Sequence, residues 1–303
     1  MEFDDFSAIL QKLSDYGTQF ITISGGEPML HPELDKFLFE ASKYNFKNVH
    51  LLTTLYGPDD LIENVIESIF KHGISISCSF DGFGKVADTI RGADNVAQII
   101  TKNMQKMNQR NRESKNRIVT GLNIVISQKN IHQLPQILEF AEEMNWSTNI
   151  DLYRWSSKNH NEQEELKITD LEKLSEVLEL AKQSEIVKTP DWLLDGFLKY
   201  YQNNYEKMCP YLDSPTFGSK FFIQVNGDLD VCIGSNVGNL LSSSPAEIFQ
   251  SEKWNEKIKS FKDCDGCWNS CYTLSSRVSN YLTVKELSKS VKTLKSLKRR
   301  KLK

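Results

Sequence analysis

Phe20-Ile21-Thr22-Ile23-Ser24-Gly25-Gly26-Glu27-Pro28 is the stretch whose reading decides the fold. Phe20 to Ser24 alternates β-branched, aromatic and hydroxyl side chains, the composition of a short strand. Two glycines then let the backbone turn sharply and come close to a ligand. Glu27 fixes a negative charge at the strand tip, and Pro28 stops the strand because it has no N–H for a ladder. His31-Pro32-Glu33-Leu34 opens a helix, with Pro32 in its first turn. Backbone carbonyls and one carboxylate are thereby offered at the C-terminal end of a strand. That is where α/β folds bind ligands, and an ammonium group suits it.

Working outward, Phe3 to Tyr16 carries apolar residues at helical spacing and Gly17 closes it. Helix is expected at Leu34–Tyr44, up to Lys71 with Asp59 or Asp60 as cap, at 95–108 and at Ile131–Met144. Strands are expected at Val49–Thr54, Ile74–Phe80, Ile118–Ser127 and Thr148–Tyr153, and a charged loop at Arg110–Arg117. Helices and strands alternating over short connections predict an α/β parallel sheet of crossover units, a partial or complete barrel. No Gly-x-Gly-x-x-Gly follows a strand, which excludes a dinucleotide-binding reading. Two helices, Thr169–Ser184 and Asp191–Tyr205, read as a bridge. Thr169 and Thr189-Pro190-Asp191 are their expected caps.

A second module opens at Cys209-Pro210. Lys220–Val225 and Leu229–Ile233 flank Asn226-Gly227-Asp228, a strong hairpin signal that places Cys232 on the second strand. A helix from Ser244-Pro245 to Phe261 leads to Cys264-x-x-Cys267-x-x-x-Cys271. The chain has 303 residues, 39% of them hydrophobic, enough for a barrel-sized core and a smaller module.

The formal net charge is −3, but Val284–Lys303 carries nine basic residues and one acid, leaving −11 on the rest. The body therefore has no global attraction for nucleic acid. The tail repeats apolar residues from Val284 to Leu297 at helical spacing. It reads as a docked basic helix, or as a contact for an acidic partner, an anionic surface or RNA. No apolar run is long enough to span a bilayer. Met1–Asp5 is acidic, the wrong sign for a secretory leader, so a cytoplasmic protein is expected.

Five of six cysteines lie in the last third: Cys209, Cys232, Cys264, Cys267 and Cys271. In such a chain, grouped thiols read as metal ligands before disulfides. Four thiolates suit an iron–sulfur cluster or structural zinc. Cys209, Cys232, Cys264 and Cys267 are favoured, with Cys271 as competitor. Cys78, alternating with Ser77 and Ser79, reads as a buried thiol pointing away from Ser79's side of the sheet.

Gly-Gly-Glu-Pro on its strand, with the Gly227-x4-Cys232 hairpin and Cys264-x-x-Cys267 behind it, resembles the radical SAM enzymes with SPASM or twitch extensions. The resemblance spans Phe3 to Cys271. It implies a partial (β/α)6-type TIM barrel lacking its first strand (1–158), then a helical bridge (159–207). A small α+β auxiliary-cluster domain (208–275) and the basic tail (276–303) follow. Gly25, Gly26, Glu27 and Pro28 would hold the amino end of S-adenosylmethionine (SAM). Thr53-Thr54 stands where the family often has Thr-Asn-Gly. Ser79-Phe80-Asp81-Gly82 resembles its Ser-x-Asp, so that Ser79 and Asp81 fall at the site. Arg91, in Ile90-Arg91-Gly92, would pair the methionyl carboxylate. Asn123, Ser127 and Asn130 would reach sugar or adenine.

The implied activity is reductive cleavage of SAM to a 5′-deoxyadenosyl radical that takes hydrogen from a peptide, protein or small molecule. An auxiliary 4Fe-4S cluster and a donor such as flavodoxin or ferredoxin are implied with it. The family's catalytic 4Fe-4S cluster needs Cys-x3-Cys-x2-Cys, yet no cysteine precedes Cys78. An N-terminal truncation is therefore expected, with that cluster belonging to the full-length protein only. The alternative is a catalytically inactive descendant kept as a metal-binding scaffold or partner.

Overall fold

The computed structural model describes residues 1–154, 163–209, 211, 220–232, 234–264, 266 and 268–280. Helices α1 (Phe3–Asp15), α2 (Leu34–Ser42), α3 (Asp59–His72), α4 (Gly84–Arg91), α5 (Val96–Glu113) and α6 (Leu134–Glu143) alternate with five strands. These are β1 (Phe20–Ile23), β2 (Asn48–Thr53), β3 (Ser75–Ser79), β4 (Thr120–Ile126) and β5 (Ser147–Leu152). They form one all-parallel sheet in the order β1-β2-β3-β4-β5, the α/β partial barrel expected. A parallel bridge from Thr148 to Val187 extends the sheet past β5, and α7 (Leu171–Gln183) and α8 (Asp191–Tyr201) pack beside it.

Register sorts the side chains, because successive strand residues face opposite ways. Leu51, Ile76, Cys78, Leu122, Ile124 and Ile150 lie on the helix-covered face, each 0–1% exposed. The other face carries Thr22, His50, Ser79, Asn123 and Asn149, all partly or largely exposed. The sheet is thus oily outside and polar inside.

The second module is a three-stranded antiparallel sheet, β6 (Phe222–Ile223), β7 (Asp228–Asp230) and β8 (Asn236–Asn239). Helices α9 (Pro245–Gln250), α10 (Glu252–Ser260) and α11 (Ser270–Asn280) follow it. Its core joins Leu229, Val231, Val237 and Trp254 to Ile9 and Leu13 of α1, so the first helix is packed into the last module. Lys12 ties the same joint, donating to the carbonyls of Leu240 (2.6 Å), Leu241 (3.2 Å) and Ser243 (3.3 Å).

Several expectations are corrected. The second helix starts at Leu34 as expected, but Pro32 precedes it instead of lying in its first turn, because Pro28–Leu30 first makes a single 3-10 turn. Neither Asp59 nor Asp60 caps α3; they begin its first turn after Pro58, where acids suit the helix dipole. The charged loop at Arg110–Arg117 is helix through Glu113, since arginine, glutamine and glutamate are good helix formers. Asp170, not Thr169, caps α7, while Thr189 exchanges hydrogen bonds with Ile150. Cys232 lies just past β7 in a turn rather than on the strand. The helix to Phe261 is broken, because Ser251 ends α9 and caps α10. Helix α4 and strand β8 are additions. Cys267, residues 159–162 and the tail from Tyr281, with its expected helix, lie outside the described residues.

Among the described residues no helix is long and apolar enough to cross a membrane.

Candidate functional site

The site is built at the C-terminal tips of β1, β2 and β3. After β1, Gly25 and Gly26 have open space where a Cβ would point, so a ligand can meet their backbone. Glu27 then turns back and is fixed by four donors. Met29 N (3.0 Å) and the Thr53 hydroxyl donate to Oε1; Thr54 N (2.7 Å) and the Thr54 hydroxyl donate to Oε2. A carboxylate with this many donors is held rigidly in one orientation. Pro28, buried, starts the 3-10 turn behind it.

The tip of β2 is shaped to make those bonds. Leu55, fully buried, takes φ +55°, a left-handed conformation uncommon for a leucine. Its amide donates to the Thr53 hydroxyl oxygen at 3.0 Å, and its carbonyl accepts from Asn103 Nδ2 at 2.9 Å. Behind Thr54, the Cys78 thiol donates to the Thr54 carbonyl at 3.2 Å. Full burial pushes that thiol well above its ordinary range, so Cys78 is an inert packing group.

The tip of β3 supplies Asp81 and, through α4, Arg91. Gly92, at φ +67°, ends α4 in the left-handed cap that glycine favours, leaving Arg91 as the last helical residue. Arg91 forms an ion pair with Asp81. Burial pushes the Asp81 carboxyl up; Arg91 and the Val125 amide pull it partly back. Gly82 is needed here, because a Cβ would stand 2.5 Å from Gln133 Oε1, which itself accepts from Phe83 N.

A cleft of about 460 Å³ opens between these tips, lined by Glu27, Leu30, Thr54, Tyr56, Arg91 and Val96 among others. It offers an anion at one side, a guanidinium at the other and an apolar wall from α5. A larger open groove of about 890 Å³ runs over the outside of α2 and α3 and contains none of the expected site residues.

Of those residues, Glu27, Thr54 and Arg91 line the cleft; Gly25, Gly26 and Pro28 flank Glu27 in the chain, and Asp81 is joined to it through Arg91. Ser79 and Asn123 pair in register on the polar inner face just below it. Ser127 is buried, its hydroxyl and amide both donating to Asn130 Oδ1. Asn130 Nδ2 donates in turn to the carbonyls of Asp81 and Val125, both at 2.9 Å. That pair therefore braces the β3 and β4 tips from behind. Thr53, Tyr56 and the Leu55 turn are additions that the strand pattern alone did not mark.

Of the described thiols, Cys209 and Cys232 pack against the core of the second module. Tyr211 belongs to that same core, and burial, then the charges of Cys209 and Cys232, push its phenol up. Gly266 N donates to Cys264 Sγ at 3.3 Å, the N–H···S contact of a chelating turn. Trp268 anchors that turn, donating to the Glu206 carbonyl at 3.0 Å and lying on Gly196 of α8. Cys271 begins α11, 4.0 Å from the Ser270 hydroxyl. Among the described residues no three histidine, cysteine or acidic side chains converge on one metal position. The thiol chemistry fits a metal, whereas the described geometry does not by itself complete a site.

Residues 1–141 match the family model of the radical SAM superfamily. No curated protein sequence matches the chain. Among solved structures, native anSMEcpe with bound AdoMet is similar at TM-score 0.59 and 15% identity, over 90% of this chain and 79% of that one. SuiB of Streptococcus suis is similar at TM-score 0.63 and 17% identity, over 85% of this chain and 61% of that one. SuiB bound to precursor peptide SuiA gives TM-score 0.63 and 18% identity, over 88% and 62%. At these identities the likeness is one of fold.

Proposed function

We propose that the chain is the SAM-binding and auxiliary-metal part of a radical SAM enzyme acting on a peptide. One observation carries the reading: a glycine pair with open space beside it, leading directly into a Glu27 carboxylate that lines the cleft and is locked by Thr53 and Thr54. Gly25 and Gly26 carbonyls, with Glu27, would receive the ammonium of SAM. Arg91 would share its guanidinium between Asp81 and the methionyl carboxylate. Val96, Ile99 and Tyr56 would cover the adenosyl part. When bound and reduced by one electron, SAM supplies a carbon radical that abstracts hydrogen. The residues here hold it, orient it and keep water from one side of it.

The catalytic cluster has no ligands in these 303 residues, because the first cysteine is Cys78. In the proposal its ligands come from residues outside them. Cys209, Cys232, Cys264, Cys267 and Cys271 would supply the ligands of one auxiliary cluster. The peptide class is drawn from the similar folds, anSMEcpe and SuiB, which are recorded with bound peptides. Saturation-transfer NMR with SAM tests the reading. Transfer to SAM protons that Arg91→Ala abolishes supports it, and silence at millimolar SAM overturns it.

The lack of a cysteine before Cys78 favours a second reading, a scaffold that has lost catalysis. Anaerobic reconstitution separates the two. Adding the upstream residues and finding a second cluster with 5′-deoxyadenosine formation fits the enzyme alone.

A further inference from the structure

The inner face of the sheet carries neutral polar side chains beside the exposed apolar Phe20 and Val125, and among its described strand residues one carboxylate. Its strand residues include Ser79, Asn123 and Asn149, and Asn149 Nδ2 donates to Asn123 Oδ1 at 3.3 Å. His50, deeper on β2, is pushed below its ordinary range by burial and stays neutral at pH 7. Among the described strand residues of this face, Asp151 is the one carboxylate, in register with Val125 and one step above Asn149.

Asp151 is also the meeting point of the two modules. Ser270, 119 residues away at the start of α11, donates to Asp151 Oδ2 at 2.7 Å. Leu152 N donates to Oδ1 at 2.9 Å. Asp151 is thus fixed, half-buried, and placed where the inner face meets the start of α11, next to Cys271. A carboxylate offers about four lone-pair positions, so the Ser270 hydroxyl, the Ser270 amide and the Leu152 amide leave it able to accept one donor from a ligand. Burial pushes the Asp151 carboxyl up, and the Arg154 charge, then the bonds from Ser270 and Leu152, pull it partly back.

We infer that Asp151 is a specificity residue for the substrate. It receives a hydrogen-bond donor, an amide, hydroxyl or ammonium, from the side chain entering the inner face, and it rejects a carboxylate there. Burial of an acid against a fixed acid is a repulsive selection, which a neutral polar wall alone does not provide. The inference rests on the peptide reading above.

The test uses the 303-residue chain saturated with SAM and short fluorescent peptides identical but for a central Gln, Lys or Glu. Binding is read by polarisation. The expected result is that the Glu peptide binds about tenfold more weakly than the Gln peptide, and that Asp151→Asn removes the difference. Ser270→Ala breaks the tie to α11 but keeps the charge, so it keeps the discrimination. A purely structural role would instead make both variants behave alike, and that outcome overturns the inference. So does equal binding of all three peptides by the wild type, or discrimination that survives Asp151→Asn. If SAM registers in the NMR experiment and no peptide binds, the substrate class fails while the SAM site stands. If SAM itself is silent, the parent reading fails and takes this one with it.

Discussion

Thr54 grips Glu27 twice, its amide nitrogen lying 2.7 Å from Oε2 and its hydroxyl donating to the same oxygen. Strand β2 therefore decides where the carboxylate of strand β1 points. Thr54→Val keeps the shape and the amide bond but removes the hydroxyl. Loss of one hydrogen bond to a charged group costs about 1.5–3 kcal/mol. The expected outcome is a lower melting temperature together with about tenfold weaker SAM binding. A lower melting temperature with unchanged SAM binding would show that the cradle does not depend on Glu27's position.

Asp81 carries a pH signature. Its carboxyl is raised from 3.8 because burial outweighs the attraction of Arg91 and the Val125 amide. Between 3.8 and the raised value, the folded chain holds a proton that the unfolded chain has released. The group's contribution to stability therefore falls as pH rises through that window and is regained as pH falls. Asp81→Asn has no such proton. The wild type's melting temperature should gain on the variant's as pH is lowered through the window. A constant difference across that range would mean that Asp81 titrates alike in both states.

Trp268 lies directly on Gly196, where an added Cβ would stand 1.9 Å from the indole Cζ3. Gly196→Ala must push the indole off α8, and the Cys264 turn with it. Overpacking of this kind costs about 1–3 kcal/mol. Both a lower melting temperature and a changed tryptophan emission are expected. Unchanged emission would place the strain in the helix instead.

Lys12 binds three carbonyls of the turn after β8 and so couples the first helix to the last module. Lys12→Met keeps the aliphatic stem and removes the ammonium. The half-exposed site discounts its worth to about 1–2 kcal/mol. Hydrogen exchange should speed at Leu240–Ser243 and in α1, and stay as before in β3 and β4. Faster exchange across the whole sheet would mean that the modules unfold as one unit.

Much of this was legible because the outer face of the sheet is aliphatic at every second position. Strands β2 to β5 therefore announced themselves within a residue or two. Helix α4 was hidden by its length and by glycines at both ends, although Gly92 is an ordinary cap signal. The ligand tip read clearly in Gly25, Gly26 and Glu27, whose residue types have few other uses together. Its supports did not: Leu55 is an unusual choice at φ +55°, and only the folded chain shows Thr53 turned onto Glu27. Asp151 resembled any strand acid, since its partner Ser270 comes from the far end of the chain.

The thiols divide into two kinds, and metal content tells them apart. Cys78 is fully buried behind Thr54, its thiol held protonated by burial and spent on the Thr54 carbonyl. Metal binding requires thiolates, so a group held this way does not contribute. Cys209 and Cys232 instead pack against the core that holds Tyr211, and Cys264 already accepts the Gly266 amide. After anaerobic reconstitution with iron and sulfide, Cys78→Ala should retain the wild-type iron per chain. Cys209→Ala or Cys232→Ala should each lose most of it, because removing one thiolate of four opens the centre. Cys271→Ala separates a ligand from a spare: retained iron assigns the centre to the other four thiols, and lost iron brings Cys271 into it. Zinc in place of iron in every preparation would leave the thiols structural and remove the auxiliary cluster from the proposed function.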